Sequence, residues 1–163
     1  MIPESTIDQI CEALEANPKL MDKLLDELSE NQDALVAYLL DEENKATLTE
    51  EEQDYQIFLG LVIWNSFRDL QGKLPEISAD SIADADEKNW ELMNTNESKS
   101  FQERLTPFFT NYPQEDLLAF VEDAVMDDED ELVSTIGREP MFVTLKTLID
   151  VLHDVTYPGA SKS

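Results

Sequence analysis

The side chains with the clearest potential for catalysis are Asp150 and His153, because their spacing places a carboxylate and an imidazole on one helix face. Di-iron helical bundles use this spacing for metal ligands, but they require the motif on two helices. The sequence contains one histidine, so a di-iron site is excluded. A serine or cysteine nucleophile would also need His153 as its base, and no third member of such a triad is evident. We therefore predict no catalytic residue.

The segment AVMDDEDELV, residues 124–133, carries five consecutive acids and is the next candidate for chemistry. Asp127, Asp128 and Glu131 superficially match the aspartate-rich signature of prenyl-transferring enzymes, which also need a second aspartate-rich helix that this sequence lacks. Loops that start at Asp84 or Asp128 both fail the ligand pattern of a calcium-binding EF-hand. We predict no metal site and no cofactor, and we interpret the segment as a solvated turn whose acids stabilise the next helix N-terminus.

The net charge limits the classes of partner. The chain has 37 acidic and 11 basic side chains, which gives a net charge of −26. Residues 24–44 and 105–137 contain no Lys or Arg. Binding to phosphates requires a basic patch, so the composition excludes nucleic acid as a direct partner and disfavours anionic membranes. We expect a protein partner with a basic surface.

The sequence shows no sign of secretion or of membrane insertion. The opening MIPESTIDQI lacks the basic region and apolar run of a signal peptide. No uncharged apolar stretch approaches the length of about 18 residues that a membrane span needs. Cys11 is the single cysteine, which excludes an intramolecular disulfide and a thiolate metal cluster. We expect a soluble, cytoplasmic protein.

The elements that must position these side chains are predicted to be helices. Glycine is scarce, with 4 residues in 163, and helix start and stop signals are frequent. Asn17-Pro18 starts one helix, Thr49 and Glu52 form a capping box, and Gly72 ends the helix that this box begins. Residues 55–67 of that helix carry no charge, which is typical of a buried central helix. The predicted fold is all-α, a compact helical bundle or short helical array.

The domain organisation follows from a change of composition in the middle of the chain. Residues 1–157 are predicted to form a single all-helical domain, and residues 158–163 a flexible tail. The segment GKLPEISADSIADAD, residues 72–86, is small, acidic and turn-forming, and it is predicted to be a long connection between sub-units 1–71 and 87–157.

The two sub-units share a similar segment. QDALVAYLLDE, residues 32–42, and QEDLLAFVEDA, residues 114–124, have Gln, Leu, Ala and Asp in register. This similarity predicts two pseudo-repeated three-helix units, an organisation that is more often a binding surface than a catalyst. The proposed helices span 18–29, 31–43 and 49–71 in the first unit and 98–111, 113–126 and 138–156 in the second.

Adjacent aromatics and the acidic run supply the candidate contact residues. Phe108 and Phe109 follow Pro107 in one predicted helix, and neighbours in a helix cannot face the same side, so one of the pair is expected to reach a partner or a loop. The predicted partner-binding residues are Asp127, Asp128, Glu129, Asp130, Glu131, Phe108 and Phe109.

The function that these features favour is a non-enzymatic interaction or regulatory module that docks a basic partner surface. The alternatives are a nucleic-acid mimic that inhibits a DNA- or RNA-binding protein and, less favoured, a carboxylate- and magnesium-dependent enzyme. The acids concentrate at helix ends and turns, at 41–43, 50–52 and 127–131, and do not form one regular row. This distribution favours the interaction module over the mimic.

Overall fold

The fold is all-helical, as predicted. The computed structural model describes residues 1–41, 47–95, 99–126 and 133–157, and the regular structure within these ranges is helix with no strand. The described helices are α1 (Glu4–Ala16), α2 (Pro18–Asn31), α3 (Asp33–Leu39), α4 (Glu50–Gln71), α5 (Ala79–Asn94), α6 (Phe101–Phe109), α7 (Glu115–Met126) and α8 (Thr135–Thr156). None of the described helices combines the length and the apolar character that a bilayer crossing needs.

Three of the predicted local signals are confirmed at helix ends. The Asn17 side chain accepts a hydrogen bond from the Leu20 N–H, and Pro18 is the first residue of α2. The capping box at the start of α4 has both of its hydrogen bonds, Glu52 N–H to Thr49 Oγ1 and Thr49 N–H to Glu52 Oε1. Gly72 follows α4 with φ of +81°, a conformation that glycine adopts without steric cost.

The predicted long connection at 72–86 is wrong, because α5 already begins at Ala79. Ser78 caps this helix by accepting a hydrogen bond from the Ser81 N–H. The segment was predicted to be a turn because it is rich in Ser and Asp, yet its alanines are strong helix formers. The actual connection is residues 72–78, and the buried side chains of Leu74 and Ile77 fix it to the core.

The core is centred on α8, which packs against α4, α5 and α7. Residues 140–149 of α8 are all buried, so this helix contacts protein on every side over nearly three turns. The uncharged segment of α4 is also central, as predicted, since Leu59 to Trp64 are buried without interruption. A helix that is enclosed in this way needs apolar residues all round, which explains why neither segment shows a single apolar stripe.

Glu52 joins the N-terminal ends of α4 and α8. Its Oε1 accepts from the Thr49 N–H at 2.9 Å, and its Oε2 accepts from both the N–H and the Oγ of Ser134, each at 2.9 Å. Ser134 is the N-cap of α8, so one buried carboxylate serves two helix N-termini. Gly137 makes room for this contact, because a Cβ at that position would collide with Glu52 Oε2.

The two glutamines that the internal similarity aligns have similar surroundings. Gln32 precedes α3, is buried, and joins the backbone of Pro75 and Ile77 through its amide. Gln114 precedes α7, is also buried, and accepts from the Ile2 N–H at 3.0 Å. Each amide therefore attaches a distant segment to the start of a helix. The organisation into two repeated units stays a prediction.

Candidate functional site

The predicted contact residues are only partly described. Asp127 to Glu131 lie outside the described residues. Phe108 is buried and meets Phe142 edge to face, with ring centroids 5.1 Å apart. Phe109 is half-buried and also packs against the core. Phe108 is therefore a core residue, and neither of the two phenylalanines is fully exposed.

A more concave candidate is a cleft of about 720 Å³ that three elements enclose. Helix α5, the turn between α6 and α7, and the C-terminal end of α8 form its walls. We call it the aspartate–tyrosine cleft, after the residues that define it: Asp84, Tyr112, Asp150, His153, Asp154 and Tyr157. Its volume falls within the range of about 300–1,000 Å³ that is typical of ligand sites.

The lining residues have the same sequence spacing on the two helical walls of the cleft. Asp150, His153, Asp154 and Tyr157 lie at positions i, i+3, i+4 and i+7 of the α8 end. Residues of α5 line the cleft with the same spacing, from Ser81 to Lys88. This spacing keeps side chains on one face of a helix, so one face of each of these two helices lines the cleft.

Asp150 is the centre of a hydrogen-bond network behind the α8 wall. Its Oδ1 accepts from the Tyr112 hydroxyl at 2.6 Å, and its Oδ2 accepts from Lys146 Nζ at 2.7 Å and from Asn89 Nδ2 at 3.0 Å. Lys146 is buried, also donates to Asn89 Oδ1, and lies 4.6 Å from the centroid of the Tyr112 ring. The charge of Asp150 is thus paired within the protein.

The phenol of Tyr112 stays a hydrogen-bond donor over the ordinary pH range. Burial raises the pKa of Tyr112 well above its usual value, and the charges of Asp150 and Asp154 raise it further. The turn that carries this tyrosine includes Asn111 with φ of +54°, a left-handed conformation that asparagine tolerates better than most residues. The network therefore holds a rigid aromatic ring at the edge of the cleft.

His153 is held in one orientation by Gln114. Gln114 Oε1 accepts from the Ile2 N–H, so its Nε2 faces His153 Nδ1 at 3.1 Å and donates to it. The imidazole proton then resides on Nε2. Burial lowers the pKa of His153 below its ordinary value, although the charges of Asp154 and Asp150 act in the opposite direction. The ring of Tyr157 lies 4.8 Å from that of His153, centroid to centroid.

Asp84 and Asp154 are the carboxylates in the cleft that remain available. Both are exposed, and neither forms a hydrogen bond or ion pair with another described residue. Lys88 and the N-terminal ammonium of Met1 add two positive charges to the lining, against the three carboxylates of Asp84, Asp150 and Asp154. In the part of the chain that the structure describes, no group of three or more His, Cys, Asp or Glu side chains is placed to hold a metal ion. The cleft therefore offers carboxylates and aromatic rings, which together attract organic cations.

Sequence analysis identified two residues of this site but did not predict that distant segments come together to form it. The spacing of Asp150 and His153 identified them as a pair on one helix face, whereas Asp84 was considered only as the start of a calcium-binding loop. The signal that could have identified the cleft is the matching spacing on α5 and α8. Comparison with models of protein families, with curated proteins and with solved structures found no match for this chain.

Proposed function

We propose that the protein is an interaction module that takes up a basic segment of a partner protein, and that the aspartate–tyrosine cleft receives a Lys or Arg side chain of that segment. The observation that carries this proposal is a pair of carboxylates, Asp84 and Asp154, which line one cleft and have no hydrogen-bond or ion-pair partner among the described residues. The net charge of −26 attracts a basic partner from a distance, and the cleft supplies the short-range selection.

Aromatic rings in the cleft strengthen the case for a cation. An ammonium or guanidinium group over an aromatic face gains about 0.5–1 kcal/mol at an exposed site and more where water is excluded. The Tyr112 ring already makes such a contact within the protein, because Lys146 Nζ lies 4.6 Å from its centroid. Tyr157 offers a second ring beside the free carboxylate of Asp154.

The test is calorimetric binding of an oligoarginine peptide to two charge-matched variants. Asp84→Asn with Asp154→Asn removes the free carboxylates of the cleft. Asp22→Asn with Asp26→Asn removes two exposed carboxylates of α2 and leaves the same net charge. We expect the cleft variant to bind about tenfold more weakly than the α2 variant, because two ion pairs of about 0.5–1 kcal/mol each are lost. Equal weakening by both variants would show that the peptide responds only to the net charge of the protein, and would refute binding in the cleft.

The exposed face of α2 favours a second candidate function. Asp22, Asp26 and Glu30 follow one another every four residues, so consecutive carboxylates rise by about 6 Å along the helix. These three side chains form a short regular row of negative charge on one helix. Such a row is what a nucleic-acid mimic needs.

The same variants distinguish the two candidate functions once a partner is identified. A mimic predicts that Asp22→Asn with Asp26→Asn abolishes binding and that duplex DNA or RNA competes with the protein for its target. The interaction module predicts loss of binding in the cleft variant and no competition by nucleic acid.

A further inference from the structure

A second concave surface lies on the α1–α2 side of the molecule and has the opposite electrostatic character. Helices α1, α2 and α4, with the turn after α4, enclose a groove of about 790 Å³. We call it the arginine–tryptophan groove, after Arg68 and Trp64 in its wall. Its volume also lies within the range of about 300–1,000 Å³ found for ligand sites.

The surface of the groove is predominantly apolar. Its large apolar side chains come from all four elements: Ile10, Leu14, Leu20, Leu24, Trp64 and Leu74. The amide side chains in the lining are already used by the fold, since Asn31, Gln32 and Asn65 each donate to a backbone carbonyl. The charged side chains are therefore the exposed donors in the lining that remain for a ligand.

The charged groups of the groove carry a positive excess that is unusual for this chain. The lining contains three basic side chains, Lys23, Arg68 and Lys73, and two acidic ones, Glu27 and Asp69. In the whole sequence, by contrast, acids outnumber bases by 37 to 11. Arg68 Nη1 pairs with Glu27 Oε2 at 2.8 Å, and its guanidinium lies 4.3 Å from the Trp64 centroid.

The two lysines of the groove are exposed and available. Neither Lys23 nor Lys73 forms an ion pair or hydrogen bond with another described residue. An apolar groove beside two exposed ammonium groups and a guanidinium is complementary to a molecule with an apolar body and an anionic head.

We propose that the arginine–tryptophan groove binds a fatty-acid carboxylate, with the acyl chain against Trp64 and the leucines and the carboxylate near Arg68, Lys23 and Lys73. Burial of the acyl chain supplies most of the affinity, and the cations select the head group. A basic peptide is disfavoured by these three cations. A strongly acidic protein is disfavoured because the net charge of −26 repels it, whereas a monoanion is repelled far less.

The test uses dodecanoate as the probe, below its micelle concentration, with dodecanol and dodecylammonium as matched ligands. Trp64 lines the groove and Trp90 does not, so the Trp90→Phe protein reports binding through the fluorescence of Trp64 alone. We expect saturable binding of dodecanoate, about tenfold tighter than that of dodecylammonium. Equal affinity for the two ions, or no saturation, would overturn the proposal and indicate nonspecific partition of the alkyl chain.

Two variants locate the site. Lys23→Ala with Lys73→Ala is expected to weaken dodecanoate about tenfold and to leave dodecanol unchanged, and Lys19→Ala with Lys99→Ala is the charge-matched control outside the groove. Ala13→Phe is expected to weaken both ligands, because Ala13 is an exposed residue of the lining and a phenyl ring there occupies the groove without disturbing the core. Equal effects of the two lysine pairs, or unchanged binding in the Ala13→Phe protein, would refute this location.

Discussion

Replacing Glu52 with Gln tests the shared cap of α4 and α8 most directly. A glutamine has one amide oxygen, so it cannot accept from both the Thr49 and the Ser134 N–H groups, and one buried donor loses its acceptor at a cost of about 1–3 kcal/mol. Loss of the charge beside two helix N-termini adds about 0.3–1 kcal/mol for each. We expect the free energy of unfolding to fall by about 2–4 kcal/mol, which corresponds to a decrease of about 5–15 °C in Tm.

The assay is urea unfolding followed by circular dichroism, with Glu51→Gln as the matched control. Glu51 lies in the same first turn, is exposed, and loses the same charge at one helix N-terminus, so its change is expected to cost only about 0.3–1 kcal/mol. Equal stability of the two variants would show that the shared carboxylate contributes nothing beyond its charge, and would refute the reasoning.

The shared cap also has a pH signature. Burial alone would raise the pKa of Glu52, but the hydrogen bonds from Thr49 and Ser134 outweigh it and lower the pKa below the ordinary value. The contribution of Glu52 to stability is therefore complete above the unfolded pKa of about 4.3 and is lost as the pH falls through the lower folded pKa. The difference in stability between wild-type protein and Glu52→Gln should shrink over that acid range and persist at neutral pH.

Three further perturbations address the packing, the buried ion pair and the net charge. Gly137→Ala should destabilise the protein because its Cβ collides with Glu52, whereas Gly60→Ala should be close to neutral, since its Cβ meets only leucine methyl groups at 3.4 Å; urea unfolding of both variants checks the contrast. Lys146→Met should cost about 3 kcal/mol, the lower end of the range for a broken buried pair, because the partly buried Asp150 carboxylate loses its cation and keeps only the Tyr112 and Asn89 donors. The added change Asp150→Asn should restore part of the loss in the same assay. Moderate sodium chloride should raise Tm in a calorimetric scan, because it screens the repulsion among the charges that sum to −26; an unchanged or lower Tm would contradict this.

The parts of the fold that could be predicted from sequence are those that depend on neighbouring residues. A capping box, a proline at the start of a helix and a glycine after its end act within a few residues, and those at Thr49, Pro18 and Gly72 are confirmed. The start of α5 was missed because Ser and Asp near Ser78 are compatible with both a turn and a helix cap. The burial of Leu74 and Ile77, which attaches residues 72–78 to the core, depends on tertiary contacts and could not be predicted from the local sequence.

The candidate cleft was less accessible to prediction, because its assembly depends on contacts between residues far apart in sequence. The shared helix cap shows the same limit. Glu52 contacts Ser134 across 82 residues, and its place in the capping box of α4 does not indicate that it also caps α8. In the same way, the spacing at Asp150 and His153 indicates a helix face but not that Asp84 lies across from it. The sequence therefore predicted residues of only one wall of the cleft.

The central position of α8 has a consequence for synthesis of the chain. This helix follows every other described helix in sequence, so the ribosome completes α4, α5 and α7 before it makes the helix that covers their apolar faces. Those faces remain exposed to solvent or to a chaperone until α8 emerges. Until then, the Glu52 carboxylate also lacks its hydrogen bonds from Ser134. A chain that stalls or is cut before α8 therefore displays the apolar surface by which quality-control systems recognise incomplete proteins.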